Sequence, residues 1–259
     1  MLPTSEQKQK KVNVEIAGAV ARIVLDNPPL NMIDLEMMDE LRDQFVALEQ
    51  RASVTAIVIA GTERVFSAGI DIASHEPRTV ETTLNKFHAV IRTLMASRKL
   101  TIASVRRHCL GGGAELALMC DLVYASNDAV FGFPEVKLGA FPPVASVALA
   151  AIVGQKNAAE LILTARSLTA KEALDMGLVN ALAEDPETLV ADCLQRIAQL
   201  SPLALRTAKK AFYAWEAIHF EKGLMRAEEI YREEVMRSED GKEGIRAFLE
   251  KRRPRWTGK

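Results

Sequence analysis

The sequence predicts an α/β fold with parallel strands, followed by a helical C-terminal segment. Over the first two-thirds of the 259-residue chain, short β-branched apolar runs alternate with helical patterns. This order is typical of α/β domains whose sheet is at least partly parallel. Beyond Ala183 the strand signals stop, and only helical patterns follow.

The predicted strands are short runs rich in valine, isoleucine and leucine, residues that suit a buried pleated surface. They cover residues 12–16, 21–25, 56–59, 101–105 and 122–125. Between them, two segments repeat apolar residues every three and four positions, which is the spacing of one helix face. These predicted helices are 34–49, with Leu35, Met38, Leu41, Phe45 and Leu48, and 80–97, with Leu84, Phe87, Ile91 and Leu94.

The last part of the chain is predicted to be helical. Ser201 followed by Pro202 is typical of a helix N-cap and first helical position. We expect residues 1–200 to form the core and 201–259 to form a helical segment, which is too small for a generous core of its own and should pack on its own domain or on a neighbouring subunit. The predicted helices are 187–200, 203–216, 220–236 and 243–251, separated by Ser201-Pro202, the region of His219 and residues 238–241.

Composition excludes several classes of protein. The chain is 49% hydrophobic and 26% charged with a net charge of −1, which argues against a disordered or nucleic-acid-binding protein. The basic run 251–255 is more typical of a solvated helix end than of a nucleic-acid patch. No apolar run reaches the ~18 residues of a membrane span. The polar N-terminus indicates neither a secretory signal nor a transit peptide.

Cysteine spacing bears on metals and on location. Cys109, Cys120 and Cys193 have neither a paired nor a metal-ligand spacing. Reduced thiols and a cytoplasmic location are therefore the expectation, with no metal site.

The segment 110–121, LGGGAELALMCD, predicts an anion site with a carboxylate beside it. Glycines allow the backbone to approach a ligand closely, and a helix that starts here points free N–H groups at whatever precedes it. Glu115 lies in the first turn of that helix, where the dipole should lower its pKa. A tight strand-to-helix turn with a structural N-terminal carboxylate is the alternative interpretation.

A second glycine turn, FSAGID at 66–71, offers another backbone donor. The N–H of Ile70 is predicted to point at the same carbonyl oxygen as that of Gly112, which would stabilise a developing oxyanion. The alternative is an ordinary loop with Asp71 as a helix N-cap. His75 and Glu76 follow this turn and are minor candidates for the same cleft.

Glu135 is the second candidate carboxylate. It follows Phe131, Phe133 and Pro134, and an apolar pocket would raise its pKa above the usual value of about 4.3. Two carboxyl groups with separated pKa values are the usual arrangement for one acid and one base. An exposed loop glutamate is the alternative, and the sequence alone favours it. Prolines 142 and 143 are predicted to shape a pocket wall.

Five segments in this order resemble the crotonase (enoyl-CoA hydratase/isomerase) superfamily over essentially the full chain: 66–71, 110–121, 131–139, 165–182 and 239–256. The resemblance implies an α/β crotonase/ClpP-like spiral of repeated ββα units with a C-terminal all-helical trimerisation segment. It also implies a homotrimer, often paired into a homohexamer. Acyl-CoA thioesters would be the substrates, with no metal, no separate cofactor, and no nucleic-acid or membrane partner.

The resemblance also implies roles for individual residues. Glu115 would activate water, Glu135 would protonate the α-carbon, and the N–H groups of Ile70 and Gly112 would form the oxyanion hole. The residues implied in substrate or CoA binding are Ser67, Ala68, Ile70, Asp71, Gly111, Gly112, Pro134 and Phe141.

Both glutamates together favour reversible hydration of an α,β-unsaturated acyl-CoA. Hydratases for straight-chain substrates usually carry G-x-G-G shortly after the second glutamate, but residues 141–146 here are FPPVAS. With residues 74–77, this variant resembles the dienoyl-CoA hydratases that act on cyclohexa-1,5-diene-1-carbonyl-CoA. Three alternatives stay open: an isomerase that uses one glutamate, a non-catalytic RNA-binding relative, and a scaffold that only trimerises.

Overall fold

The computed structural model describes residues 10–75 and 79–259 and confirms the α/β fold. Its strands are β1 (Val12–Ala17), β2 (Val20–Leu25), β3 (Ala56–Ala60), β4 (Leu100–Val105), β5 (His108–Leu110), β6 (Leu122–Ser126), β7 (Val130–Gly132), β8 (Ser167–Thr169) and β9 (Ala181–Ala183). Its helices are α1 (Leu35–Glu49), α2 (Val80–Met95), α3 (Gly112–Leu118), α4 (Pro143–Val153), α5 (Gln155–Thr164), α6 (Ala170–Asp175), α7 (Pro186–Ile197), α8 (Pro202–Phe212), α9 (Ala214–Ile230) and α10 (Glu239–Leu249).

Two sheets stack the strands into a spiral. The larger sheet has the order β1-β2-β3-β4-β6-β9 and is parallel except for the β1/β2 pair. The smaller sheet has the order β5-β7-β8. Successive turns place one strand in the larger sheet and the next in the smaller one before a helix follows, as in β4-β5-α3 and β6-β7-α4. This is the ββα repeat that the resemblance implies.

The predicted strands and first helices are confirmed almost to the residue. Each of the five predicted strands differs from β1, β2, β3, β4 or β6 by no more than one residue at either end. Asp34 is the N-cap of α1 and accepts a hydrogen bond from the Met37 N–H. The strands β5, β7, β8 and β9 have three residues each, which is too short for an alternating pattern to show in the sequence.

The C-terminal helices differ from the prediction in two respects. The predicted break at residues 238–241 is wrong except at its first residue, since Ser238 is the N-cap of α10, which begins at Glu239. Ser201 caps α8 as predicted, since its side chain accepts a hydrogen bond from the Ala204 N–H. The predicted break at His219 is wrong, because α9 runs continuously through it and the break lies at Tyr213. His219 is accommodated within the helix, with its Nδ1 2.8 Å from the carbonyl oxygen of Trp215 one turn earlier.

The last helices pack closely on the rest of the chain. A Cβ on Gly223 of α9 would lie 2.6 Å from Val147 of α4, and one on Gly244 of α10 would lie 2.1 Å from the carbonyl oxygen of Leu138. Leu138 ends a 3-10 turn that begins at Glu135. The C-terminal segment therefore covers the turn that carries one candidate carboxylate, whereas the proposed boundary at residue 200 stays a prediction.

Candidate active site

A cavity of about 1040 Å³, including its open mouth, lies between the two glycine turns and the C-terminal helices. Prolines 142 and 143 line it, as predicted. Most of the other predicted site residues also line it: Ala68, Ile70, Gly111, Gly112, Glu115, Pro134, Glu135 and Phe141.

Ser67 and Asp71 do not line the cavity, and their contact with substrate stays a prediction. Ser67 is fully buried. Its hydroxyl donates to the carbonyl oxygen of Asn31 at 2.7 Å and accepts from the N–H of Gly69 at 3.1 Å. The N–H of Asp71 donates to Ile33 at 3.1 Å. These contacts hold the shape of the turn that carries Ile70.

The two glycine turns are in direct contact. A Cβ on Gly69 would lie 3.7 Å from the nitrogen of Gly112, and a Cβ on Gly112 would lie 2.6 Å from the side chain of Ile70. Side chains at these positions would push the turns apart. Glycine is therefore what allows the backbone of residue 70 to lie beside that of residue 112.

The N–H groups of Ile70 and Gly112 have no acceptor within the described residues. Their neighbours are bonded, since the N–H of Gly69 donates to Ser67 and that of Gly111 donates to Gly132 at 2.9 Å. Two adjacent unpaired amides at a cavity wall are the arrangement that stabilises an oxyanion.

Glu115 is held by the start of another helix. It is 2% exposed, and its Oε1 accepts a hydrogen bond of 2.9 Å from the N–H of Ala145 in the first turn of α4. Burial raises the pKa of Glu115 to about 7, while hydrogen bonds from Ala145 and Val144 act in the opposite direction. The predicted lowering of its pKa is wrong, because α3 has only seven residues and burial outweighs the favourable end of so short a helix.

Glu135 is half-buried and not an exposed loop residue. Its Oε2 is buried without a hydrogen-bond partner among the described residues. Its Oε1 occupies the space that a Cβ on Gly111 would need, since the two would lie 2.7 Å apart. Burial and, to a smaller extent, the charge of Glu115 raise the pKa of Glu135 to about 8. The predicted direction is confirmed.

The two glutamates behave as one titrating pair. Each is disfavoured as an anion by burial, and the first to ionise makes ionisation of the second harder. Glu115 has the lower pKa because two backbone N–H groups stabilise its charge. Near neutral pH the pair therefore supplies one carboxylate and one carboxylic acid to the same cavity.

Sequence reasoning missed several cavity residues, among them Tyr231 and His88. Burial and, to a smaller extent, the charges of Glu135 and Glu115 raise the pKa of Tyr231 well above its usual range. The ring of Tyr231 packs against Phe141 at a centroid distance of 5.2 Å. Tyr231 begins a π-helical turn after α9, and no local pattern marks it. His88 was detectable in principle as a polar residue on the apolar face of α2.

Two predicted residues are not fully described. Glu76 and the side chain of His75 lie outside the described residues. Over residues 10–75 and 79–259, no group of three or more His, Cys, Asp or Glu side chains is placed to hold a metal ion. In the same part of the chain, no helix is both long and apolar enough to cross a membrane.

Comparison with known proteins finds relatives that match nearly the whole chain. The family model described as enoyl-CoA hydratase/isomerase matches residues 15–259. The chain is 34% identical to cyclohexa-1,5-dienecarbonyl-CoA hydratase of Thauera aromatica, covering 96% of this chain and 97% of that one. It is 36% identical to a probable mitochondrial enoyl-CoA hydratase of Dictyostelium discoideum, covering 95% and 90% of the two chains.

A solved enoyl-CoA hydratase of Mycobacterium avium subsp. paratuberculosis superposes with a TM-score of 0.87 at 27% identity, over 96% of this chain and 99% of that one. The fold, the family model and the relatives agree over nearly the whole length. The chain belongs to the enoyl-CoA hydratase/isomerase family.

Proposed function

We propose that the protein adds water reversibly to the double bond of an unsaturated acyl-CoA thioester. The observation that carries this proposal is the meeting, in one cavity, of two unpaired backbone amides with two glutamate carboxyl groups. The amides match a developing thioester oxyanion, and the glutamates match the two proton transfers that hydration requires.

The proposed mechanism assigns one task to each group. The thioester oxygen accepts hydrogen bonds from the N–H groups of Ile70 and Gly112. Ionised Glu115 takes a proton from water as it attacks the β-carbon, and protonated Glu135 delivers a proton to the α-carbon. Dehydration runs the same steps in reverse with the roles exchanged. Coenzyme A enters as part of the substrate, so the proposal needs no separate cofactor.

The acyl group is proposed to be a cyclic diene. Pro142 and Pro143 line the cavity where family hydratases for straight-chain substrates usually have glycines, and their rings restrict the wall beside Glu115. The relative from Thauera aromatica is named for a cyclohexadiene-carbonyl thioester, which supports the same substrate class for this chain.

A substrate panel tests both levels of the proposal. Linear and cyclic enoyl-CoAs and dienoyl-CoAs are offered, and product masses are followed over time. Hydration adds the mass of one water molecule, whereas an isomerase would leave the mass unchanged. Faster consumption of the cyclic diene than of crotonyl-CoA supports the cyclic substrate, and the reverse order contradicts it. Salt-dependent RNA binding without turnover of any thioester would favour the non-catalytic alternative.

The exposed apolar side chains of the C-terminal helices support the proposal of a homotrimer, or of a hexamer formed from two trimers. Large apolar side chains on α8 and α9 are exposed in the single chain, including Phe212 at 73% and Trp215 at 70%. Exposed apolar surface of this kind is typical of a protein interface. A reducing compartment such as the cytoplasm is the proposed location, because all three cysteines are free and buried.

A further inference from the structure

His88, in the cavity wall, and Glu228, behind it, form a buried pair. His88 lies on α2, is fully buried and lines the cavity. Its Nδ1 lies 2.7 Å from Oε1 of Glu228 on α9, which also accepts a hydrogen bond of 3.0 Å from Arg92. None of these residues has a part in the proposed hydration mechanism.

The charges of this pair determine where the imidazole proton lies. The hydrogen bond from His88, together with the positive charge of Arg92, lowers the pKa of Glu228 well below its usual value. Burial lowers the pKa of His88. Near neutral pH, Glu228 is therefore a carboxylate and His88 is a neutral ring that donates its one N–H from Nδ1. The other nitrogen, Nε2, then carries a lone pair and can only accept a hydrogen bond.

Nε2 of His88 is an orphaned acceptor. Among the described residues, it and Oε2 of Glu135 are the two buried side-chain polar atoms without a hydrogen-bond partner, and both belong to residues that line the same cavity. A buried unpaired polar atom costs free energy and calls for an explanation. Proton transfer explains Glu135, but nothing in the hydration mechanism explains His88.

The surroundings of His88 make its acceptor selective. It shares one face of α2 with Val80 and Leu84, at spacings of four residues, and all three line the cavity with Phe87 and Phe141. A single acceptor in an apolar wall favours a ligand that carries one donor at the matching place, because any other ligand leaves the nitrogen unpaired.

We propose that Nε2 of His88 accepts a hydrogen bond from a hydroxyl group on the acyl group, beyond the β-carbon. The preferred substrate is then a cyclic dienoyl-CoA whose ring carries a hydroxyl group. Glu228 acts as a positioning residue that holds the proton on Nδ1 and so keeps Nε2 an acceptor. This inference rests on the proposed function, since it specifies the acyl-CoA that the same cavity takes.

Calorimetric binding of saturated acyl-CoAs tests the inference without turnover. Three series are compared: the unsubstituted thioester, thioesters with a hydroxyl on the β-carbon or on successive carbons beyond it, and the matching methyl ethers, which cannot donate. One hydroxyl position is expected to bind about tenfold more tightly than both the unsubstituted thioester and its ether, a factor that corresponds to about 1.4 kcal/mol.

Two variants and one control assign this preference to the pair. His88→Phe should bring the ratio of hydroxyl to unsubstituted affinity close to one. Glu228→Gln should reduce the difference in affinity between the hydroxylated thioester and its methyl ether, because a glutamine amide can donate to Nδ1 and move the proton to Nε2. This variant replaces His88→Phe if that protein does not fold. His108→Phe, at an exposed histidine of β5, should keep the wild-type ratio.

The inference is overturned if no hydroxyl position is preferred, if the ether binds as well as the alcohol, or if the preference survives in His88→Phe. A gain in affinity confined to the 3-hydroxyl thioester would also overturn the inference, since that compound is the hydration product itself. Hydration of unsubstituted thioesters without any hydroxyl preference would refute this inference alone. Failure to hydrate any thioester would refute the proposed function, while the binding ratios would still decide the role of His88.

Discussion

The carboxyl group of Glu115 accepts a hydrogen bond of 2.9 Å from the backbone N–H of Ala145, in the first turn of α4. That helix has Pro142 as its N-cap residue and no side-chain cap of its own. Glu115 therefore supplies the capping carboxylate from a different helix. The contact fixes one oxygen of the proposed base and favours its ionised form, which explains why its pKa lies below that of Glu135.

Glu115→Gln and Glu135→Gln should each lower kcat for hydration by about two orders of magnitude or more. An amide keeps the shape of the side chain but neither takes nor delivers the proton, so KM should change little. Steady-state kinetics on the preferred thioester measure both effects. Glu63→Gln, at an exposed glutamate, is the matched control and should retain wild-type kinetics. Near wild-type turnover in either cavity variant would refute the role assigned to that glutamate.

The rate of hydration should show a narrow bell-shaped dependence on pH. Hydration requires ionised Glu115, whose pKa is about 7, and protonated Glu135, whose pKa is about 8. We therefore expect kcat/KM to rise through the first value, fall through the second and peak between them. The measurement is kcat/KM in a series of buffers of constant ionic strength. A profile that is flat across both values would show that the pair does not control the reaction.

Stability should fall as the pH rises through the same region. Burial raises both carboxyl pKa values from the usual 4.5, so between pH 4.5 and about 8 the native state binds more protons than the unfolded state. The free energy of unfolding then decreases with rising pH and levels off above the higher pKa. Glu135→Gln cannot ionise, so its stability should decline less over this window.

Urea unfolding at a series of pH values measures this effect in the wild type, in Glu135→Gln and in the exposed control Glu63→Gln. The control should follow the wild type. If the free energy of unfolding changed with pH in parallel for the wild type and Glu135→Gln, the carboxyl group of Glu135 would not be buried in the native state.

Gly111→Ala should inactivate the protein more than its loss of stability explains. Gly111 has φ +49°, and an added Cβ would lie 2.7 Å from Oε1 of Glu135. Displacement of that carboxyl by about 1 Å is expected to lower kcat about 100-fold. Gly18→Ala is the matched control, since Gly18 has φ +59° with nothing within 4 Å of an added Cβ.

Both glycine variants should lose about 1–3 kcal/mol of stability, because each glycine has a positive φ that a residue with a side chain rarely adopts, but only Gly111→Ala should lose activity. Thermal unfolding and kcat are measured side by side. Equal activities for the two variants would contradict the packing of Glu135 against Gly111.

Trp215→Glu should dissociate the proposed oligomer. Trp215 is 70% exposed in the single chain, and a carboxylate at the centre of an apolar interface would be buried without a partner. Light scattering coupled to gel filtration should give a trimer or hexamer for the wild type and a lower mass for the variant. Leu163→Glu, at a leucine of α5 with a comparable exposure of 73%, should keep the wild-type mass. A monomeric wild type would refute the proposed assembly.

Local structure was largely predictable because it depends on neighbouring residues. The apolar runs of β1 to β4 and β6, the three-and-four spacing in α1 and α2, and the Ser201 cap of α8 all act within a few positions of each other. The glycine turns and both glutamates were also recognisable, since short motifs carry them. The three-residue strands were not, because a period of two cannot be read in so short a segment.

The sequence by itself determined the α/β alternation and the two glycine turns, and it marked Glu115 and Glu135 as candidate carboxylates. Only the tertiary structure decided that burial raises the pKa of Glu115, that Ser67 is enclosed by its own loop, and that His88 and Tyr231 line the cavity. Backbone conformation follows from adjacent residues, whereas desolvation and hydrogen bonding at a site depend on groups that folding brings together from distant parts of the chain.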